Sequence, residues 1–284
     1  IIIDIGEGSN ARGEPFFLYY IVAFMRNRAG VIMAGESNLG LHRKRNEDNF
    51  CCYAPPGRKC ALAVVADGVG GHANGAVASL ICCRDLAEAF RRMAEPEENL
   101  PDAAAVFLRD KIRKINRKVF SRNYFEQVVR PMSSTIVAAV FMPEAVLLAS
   151  AGDSRMYEFH PADGLVQLST DHSFSAEFAR EHGFLPPGSE TMKNLIARAV
   201  GPRSELEPEL HSLERRRESR YLLCSDGASG CIPKEELAAI MADSGSARQA
   251  VGRVMRSALL AGGRDNITVI AVFPEEEEQS HGIA

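Results

Sequence analysis

Five short polar segments carry acidic residues, and most adjoin an apolar run. They are Arg43-Lys44-Arg45-Asn46-Glu47-Asp48, Ala66-Asp67-Gly68-Val69-Gly70-Gly71-His72, Gly152-Asp153-Ser154-Arg155, Ser225-Asp226-Gly227 and Arg264-Asp265-Asn266. Strand ends can gather carboxylates from distant parts of a chain. Gathered carboxylates repel one another, and a fold tolerates them when cations sit between them. All-oxygen donor sets suit hard cations such as Mg²⁺ and Mn²⁺. A carboxylate at a strand end, next to backbone oxygens exposed by glycine, is such a set, and Asp67-Gly68 supplies both. Read singly, each aspartate is an ordinary turn residue and the glycine cluster a strand-to-helix turn. No Gly-Lys-Ser/Thr follows the glycines, which excludes a P-loop, and their spacing misses the dinucleotide pattern.

The elements that must position these residues are short and well punctuated. Strands are expected at Val31–Gly35, Asn49–Tyr53, Ala61–Ala66, Thr135–Phe141, Ala145–Ser150, Met156–Phe159, Tyr221–Ser225 and Ile267–Phe273. Several are apolar throughout, the pattern of strands buried on both faces. Met142-Pro143-Glu144 and His160-Pro161-Ala162-Asp163-Gly164 read as hairpin connections. One helix is expected from Asn74 to Met93. A second, Pro101–Phe120, puts Ala105, Leu108, Ile112, Ile115 and Val119 on one stripe. A third starts at Pro233-Lys234. A fourth is capped by Ser246 with Gln249 three residues on and is stopped by Gly262-Gly263. Asp171–Lys193 is expected to be irregular. Adjacent strands with short turns, interrupted by helix pairs, indicate antiparallel sheets with helices packed outside.

The chain has 284 residues, with 46% hydrophobic and 25% charged residues, an ordinary globular composition. Its formal net charge of -4 gives no electrostatic case for nucleic acid. Arg215-Arg216-Arg217, between Glu214 and Glu218, reads as a solvated loop. The seven cysteines lack Cys-x-x-Cys spacing, which speaks against zinc and disulfides and for a reducing cytoplasm. The run Phe16–Met25 is too short to span a bilayer and lacks signal-peptide flanks, so no membrane association is expected. Residues 1–24 show no clear pattern and are expected to be a non-native or unstructured extension. The domain is expected at 25–274, with an acidic disordered tail at 275–284.

In order along the chain, Arg43-x-x-Asn46-Glu47-Asp48, Asp67-Gly68-x-Gly70-Gly71-His72, Met132-Ser133-Ser134-Thr135, Gly152-Asp153-Ser154-Arg155, Thr170-Asp171-His172-Ser173, Ser225-Asp226-Gly227 and Asp265-Asn266 resemble the motifs of the metal-dependent Ser/Thr protein phosphatases of type 2C, in their bacterial form. The resemblance runs from about Val31 to Phe273. It implies an α+β fold, a four-layer α-β-β-α sandwich of two central antiparallel sheets flanked by helices. It implies two Mn²⁺ or Mg²⁺ ions and a third site. Asp67 would bridge two metals, the Gly68 carbonyl would bind the first, and Asp226 and Asp265 the second. Asp153 with Asp226 would form the third site, Glu47 would orient metal-bound water, and Arg43 would hold the substrate phosphate, which a guanidinium fork suits. Two metals about 4 Å apart lower the pKa of a shared water for in-line attack on phosphorus. The implied substrates are phosphoserine and phosphothreonine in proteins, with a bacterial Ser/Thr kinase as the opposing partner and a cytoplasmic monomer as the acting form.

Three segments depart from the family pattern. Met132-Ser133-Ser134-Thr135 replaces Met-Gly-Thr-Thr. Val69 stands where eukaryotic relatives place a histidine, so water would protonate the leaving oxygen. Gly230 stands where some relatives carry a further aspartate of the third site. Two rival readings remain at this stage. One is a serine hydrolase with Ser154 as nucleophile and His172 as base, which lacks a Gly-x-Ser-x-Gly elbow. The other is a non-catalytic phosphopeptide-binding module on the same fold.

Overall fold

The computed structural model describes residues 6–9, 15–21, 28–55, 57–69, 74–93, 100–126, 131–185 and 195–275. Met25, Gly70, Gly71, His72, the Glu181 side chain and the acidic tail beyond Glu275 lie outside the described residues. In chain order the leading strands are β1 (Gly6–Ser9), β2 (Pro15–Ile21), β3 (Val31–Asn38), β4 (Asn49–Tyr53), β5 (Ala61–Ala66) and β6 (Gly68–Val69). Helices α1 (Asn74–Arg92) and α2 (Leu100–Phe125) follow. Then come β7 (Ser133–Ser134), β8 (Ile136–Phe141), β9 (Ala145–Ala151), β10 (Arg155–His160), β11 (Gly164–Gln167) and α3 (Phe174–His182). The chain continues with β12 (Glu209–Glu214), β13 (Arg220–Cys224), α4 (Asp226–Ser229), α5 (Lys234–Asp243), α6 (Ala247–Leu260) and β14 (Ile267–Pro274).

The strands form two antiparallel sheets, ordered β1-β2-β3-β14-β13-β10-β11 and β12-β9-β8-β5-β4, with β6 and β7 as a separate pair. Strand periodicity explains the layering. On β5, Ala61, Ala63 and Val65 point at the other sheet and meet Met33, Phe141, Leu223 and Ile270. Leu62, Val64 and Ala66 alternate to the opposite face and pack under α1 and α2, against Leu86, Phe90, Leu108 and Ile112. On the far side α5 and α6 cover the seven-stranded sheet through Leu237, Met241, Val251 and Val254, packed on Leu222, Val269 and Ala271. The result is the four-layer α-β-β-α sandwich. Helix α6 begins as its sequence predicts: Ser246 Oγ accepts the Gln249 amide, and Gln249 reaches back to the Gly245 amide.

Four local features differ from the sequence reading. Residues 1–24, expected to lack structure, contain β1 and β2, and β2 pairs with β3 from Tyr19↔Ser37 to Ile21↔Gly35. The run Phe16-Phe17-Leu18-Tyr19-Tyr20-Ile21 has strong strand propensity, and β3 offers it an edge. Within the stretch expected to be irregular, α3 forms around an i,i+4 stack of Phe178 on His182, ring centroids 4.1 Å apart. Strand β12 has no counterpart among the expected strands, because an edge strand reading Glu-Leu-His-Ser-Leu-Glu carries little apolar signal. Finally, Arg215 is not solvated: its guanidinium donates to the carbonyls of Ala29, Gly30 and Met142, while Arg216 pairs with Glu158 and Asp163. Burial lowers the Arg215 pKa.

Candidate metal centre

One end of the sandwich opens into a cleft of about 820 Å³. Arg43, Glu47, Asp67, Gly68, Asp153, Asp226 and Asp265 all line it. Antiparallel pairing explains the gathering. Strand β13 ends at Cys224, and β14 begins at Ile267, with Cys224 opposite Val269. Asp226 and Asp265 therefore leave adjacent strands at the same end of the sheet. Asp67 leaves the end of β5 in the facing sheet, and Asp153 sits in the turn between β9 and β10.

Hydrogen bonds from distant segments fix each backbone. Thr135 Oγ1 accepts the Asp67 amide at 2.9 Å, and the Thr135 amide returns a bond to the Asp67 carbonyl at 2.8 Å. Ser134 Oγ donates to the same carbonyl at 3.0 Å. Asn266 staples the Arg43–Asp48 loop: its Oδ1 accepts the Glu47 amide at 2.8 Å, and its Nδ2 donates to the Leu39 and Arg45 carbonyls, both at 2.9 Å. Ser225 Oγ donates to Asp48 Oδ2 at 2.7 Å and accepts the Thr268 amide at 3.0 Å. Two glycines are demanded by close approach. A Cβ on Gly68 would stand 2.5 Å from the Glu47 carbonyl oxygen and would run into the Gly75 backbone. A Cβ on Gly227 would run into the Asn266 carbonyl.

The carboxylates disturb one another strongly. Burial pushes Asp67 well above the usual range, and the charges of Asp48, Asp226 and Asp153 push it further. Burial and then Asp265 raise Asp226. Asp153 is pushed up to about 6 by burial and by Asp226. Asp48 reaches about 7 through burial, despite hydrogen bonds from Ser225 and Thr268 that oppose it. Burial pulls Arg43 down, but Asp265, Asp67 and Asp226 outweigh it and raise its pKa. Arg43 Nη2 lies 2.6 Å from Asp265 Oδ2 at the mouth of the cleft.

The residues present fit hard divalent cations. Asp48 Oδ1, Asp153 Oδ1 and Asp226 Oδ1 are buried without a hydrogen-bond partner. Buried polar oxygens are costly unless something satisfies them, and every donor here is an oxygen. Among the described residues no three His, Cys, Asp or Glu side chains converge closely enough to ligate one ion as they stand. A hard cation held by one or two carboxylates, a backbone carbonyl and waters needs no such trio.

Each residue picked out in the sequence as a ligand or phosphate contact thus reaches one cleft. Ser154 and His172 do not form a nucleophile–base pair. Ser154 is buried with its Oγ 2.7 Å from Thr135 Oγ1, while His172 Nδ1 accepts the Gly152 amide and Nε2 lies 2.9 Å from Glu209. The sequence reading gave no role to Asn266, Thr135 and Ser225, the residues that hold the ligand-bearing segments. Their signal was a short hydroxyl or amide side chain beside a candidate ligand.

A fold of two antiparallel sheets between helix pairs, with an acidic cleft at one end, defines a class of phosphatase. Residues 42–260 match the family model described as Protein phosphatase 2C, and the chain belongs to that family. It is 30% identical over 242 residues to the serine/threonine phosphatase stp of Listeria welshimeri, covering 82% of this chain and 92% of the relative. It is 33% identical to the serine/threonine protein phosphatase PstP of Mycobacterium tuberculosis over 84% of this chain and 44% of the relative. The crystal structure of the Mycobacterium tuberculosis phosphatase superposes with a TM-score of 0.74 at 31% identity, covering 87% of this chain and 99% of that one. A structure of the PstP catalytic domain in complex with two manganese ions superposes with a TM-score of 0.72 at 30% identity, with the same coverage.

Proposed function

We propose that the chain is a metal-dependent protein serine/threonine phosphatase, its catalytic domain lying within residues 25–274. The observation that carries this reading is one cleft in which Arg43 faces buried, mutually repelling carboxylates, two of them with unpartnered oxygens. Asp67, the Gly68 carbonyl, Asp226 and Asp265 would hold two Mn²⁺ or Mg²⁺ ions. Asp153, with Asp226, would serve a third. Bound there, the cations would supply Lewis acidity and lower the pKa of a water. The chain's own residues do the rest. Arg43 clamps the phosphate and stabilises charge on the transferring phosphoryl group. Glu47, held against the start of α1, orients the attacking water. Val69 offers no proton, so solvent protonates the leaving oxygen. The substrates are phosphorylated proteins, and a Ser/Thr kinase is the opposing enzyme. Action as a cytoplasmic monomer fits, and among the described residues no helix is long and apolar enough to cross a membrane.

The test is hydrolysis of p-nitrophenyl phosphate and a phosphothreonine peptide after EDTA stripping, with and without Mn²⁺. Negligible turnover without metal and recovery with Mn²⁺ or Mg²⁺ is the expected result. Full activity in the stripped protein would overturn the proposal.

A further inference from the structure

A second groove, of about 600 Å³, runs beside the catalytic cleft between α6 and β3. Its floor is apolar, built by Val251, Met255 and Leu259. Leu41 and Leu260 also line it, and they are 66% and 82% exposed. These two leucines mark the border with the catalytic cleft. Leu41 lies two residues before Arg43, and its amide donates to the Gly263 carbonyl at 2.7 Å, two residues before Asp265. Leu260 precedes Ala261, which lines the catalytic cleft itself.

The rim is basic. Arg248, Gly252 and Arg256 fall at i, i+4 and i+8 on α6, one stripe of the helix. All three line the groove, and a Cβ on Gly252 would meet nothing within 4 Å, which leaves a saddle between the two guanidinium groups. Arg253, on another face of α6, is 3.9 Å from Asp243, whereas Arg248 and Arg256 have no acidic partner among the described residues. Among the described residues Glu36 is the one acid lining the groove, and burial raises its pKa. A chain of net charge -4 thus concentrates unpaired cations beside an apolar trough that opens next to its phosphate contact.

We propose that this groove docks the segment of a phosphoprotein that flanks its phosphorylated residue, and that the segment is acidic with one apolar side chain. The proposal rests on the phosphatase reading of the neighbouring cleft. Leu41 is two residues from Arg43, so the apolar side chain belongs within a few positions of the phosphate. Leu260 and the floor take the apolar group, and Arg248 and Arg256 take the acids. Steering by such rim charges acts chiefly on capture of the substrate.

The experiment uses the intact chain with Mn²⁺, p-nitrophenyl phosphate and three phosphothreonine peptides. One peptide has neutral polar flanks, and the other two carry Glu and Leu on the N-terminal or the C-terminal side. We expect kcat/KM for one acidic-apolar peptide to exceed that of the neutral peptide about tenfold. The double variant Arg248→Glu/Arg256→Glu should lose that advantage through KM, and Leu260→Ser should lose part of it. Both should keep wild-type rates on p-nitrophenyl phosphate and a wild-type melting temperature. Equal kcat/KM for all three peptides would overturn the docking site. So would variants that lose p-nitrophenyl phosphate turnover in parallel. A Leu260-dependent dimer in light scattering, or binding to anionic vesicles, with peptide kinetics unchanged would assign the groove to another occupant and overturn the proposal. Absence of p-nitrophenyl phosphate turnover by the Mn²⁺-loaded wild type would bring down the phosphatase reading and this inference with it.

Discussion

The centre and the edges of the seven-stranded sheet do different work. At the centre, β13 and β14 are almost entirely buried, each is paired on both sides, and they release Asp226 and Asp265 at one end. At the edges, β11 leaves Val166 42% exposed, and β2 carries only the short β1 beyond it. A side chain at the end of a central strand inherits the rigidity of two ladders. Ser225, Thr268 and Asn266 then tie it to the Arg43–Asp48 loop. An edge strand has one ladder and one face of side-chain neighbours. Chemistry that needs carboxylates held against their mutual repulsion belongs at the centre, while edges tolerate variation.

Asp226→Asn should break the centre most severely. The amide keeps the shape and removes the charge that a hard cation needs. Loss of even an outer-shell partner of a metal costs about 10–100-fold, so kcat should fall by more than about a hundredfold, with weaker Mn²⁺ binding by calorimetry. Stability of the EDTA-treated protein should hold or rise, because Asp226 also raises Asp67 and Asp153 by repulsion. Near wild-type turnover with unchanged Mn²⁺ affinity would falsify the two-metal assignment. Next in size is Arg43→Ala. If the guanidinium grips substrate and transition state alike, KM for a phosphopeptide rises more than kcat falls. An unchanged KM would remove Arg43 from the phosphate site.

A third effect concerns stability rather than rate. Asp48 at about 7 and Asp153 at about 6 are both raised above the ordinary carboxyl value of 3.8. Between pH of about 4 and about 7 the folded protein holds protons that the unfolded chain has released. Stability therefore falls as pH rises through this window, the reverse of an ordinary salt-bridged aspartate. The EDTA-treated protein should melt several degrees higher at about pH 5 than at about pH 8. Saturating Mn²⁺ should flatten the slope by neutralising the cluster. A metal-stripped protein whose melting temperature climbs with pH would show that these carboxyls are not raised.

The same contrast explains what could be read from the sequence. Central strands announce themselves: Ala61–Ala66 falls where expected, because an unbroken apolar run bounded by turn residues admits few other readings. A polar edge strand does not, although Asn49–Tyr53, at one edge of the five-stranded sheet, also falls where expected. Glu209–Glu214 looks like surface, and Glu209 is identifiable as a sheet residue only through its pairing with Ser150. The candidate ligands were legible because aspartate beside glycine at a strand end has few structural uses in such numbers. Their supports were not, since the burial of Ser225 and the three bonds of Asn266 depend on segments more than a hundred residues away. Arg215 misled for the same reason: three backbone carbonyls, invisible in sequence, replace the solvent expected around a charge run.

The smallest effect is expected at the outermost edge. Strands β1 and β2 pair with each other and, through three register positions, with β3. Strand β3 keeps its long ladder with β14, from Val31↔Pro274 to Asn38↔Ile267, when they are gone. The family match starts at residue 42, and among the described residues the cleft takes no lining residue from before Arg43. Removing residues 1–24 should leave kcat and KM unchanged and should move the melting temperature by less than about 4 °C, the shift that about 1 kcal/mol produces in a domain of roughly this size. The uncovered β3 edge would instead favour association at high concentration. A larger loss of melting temperature would mean that the edge packs on the core as the centre does. A change in KM with stability intact would mean that the leading strands reach the substrate.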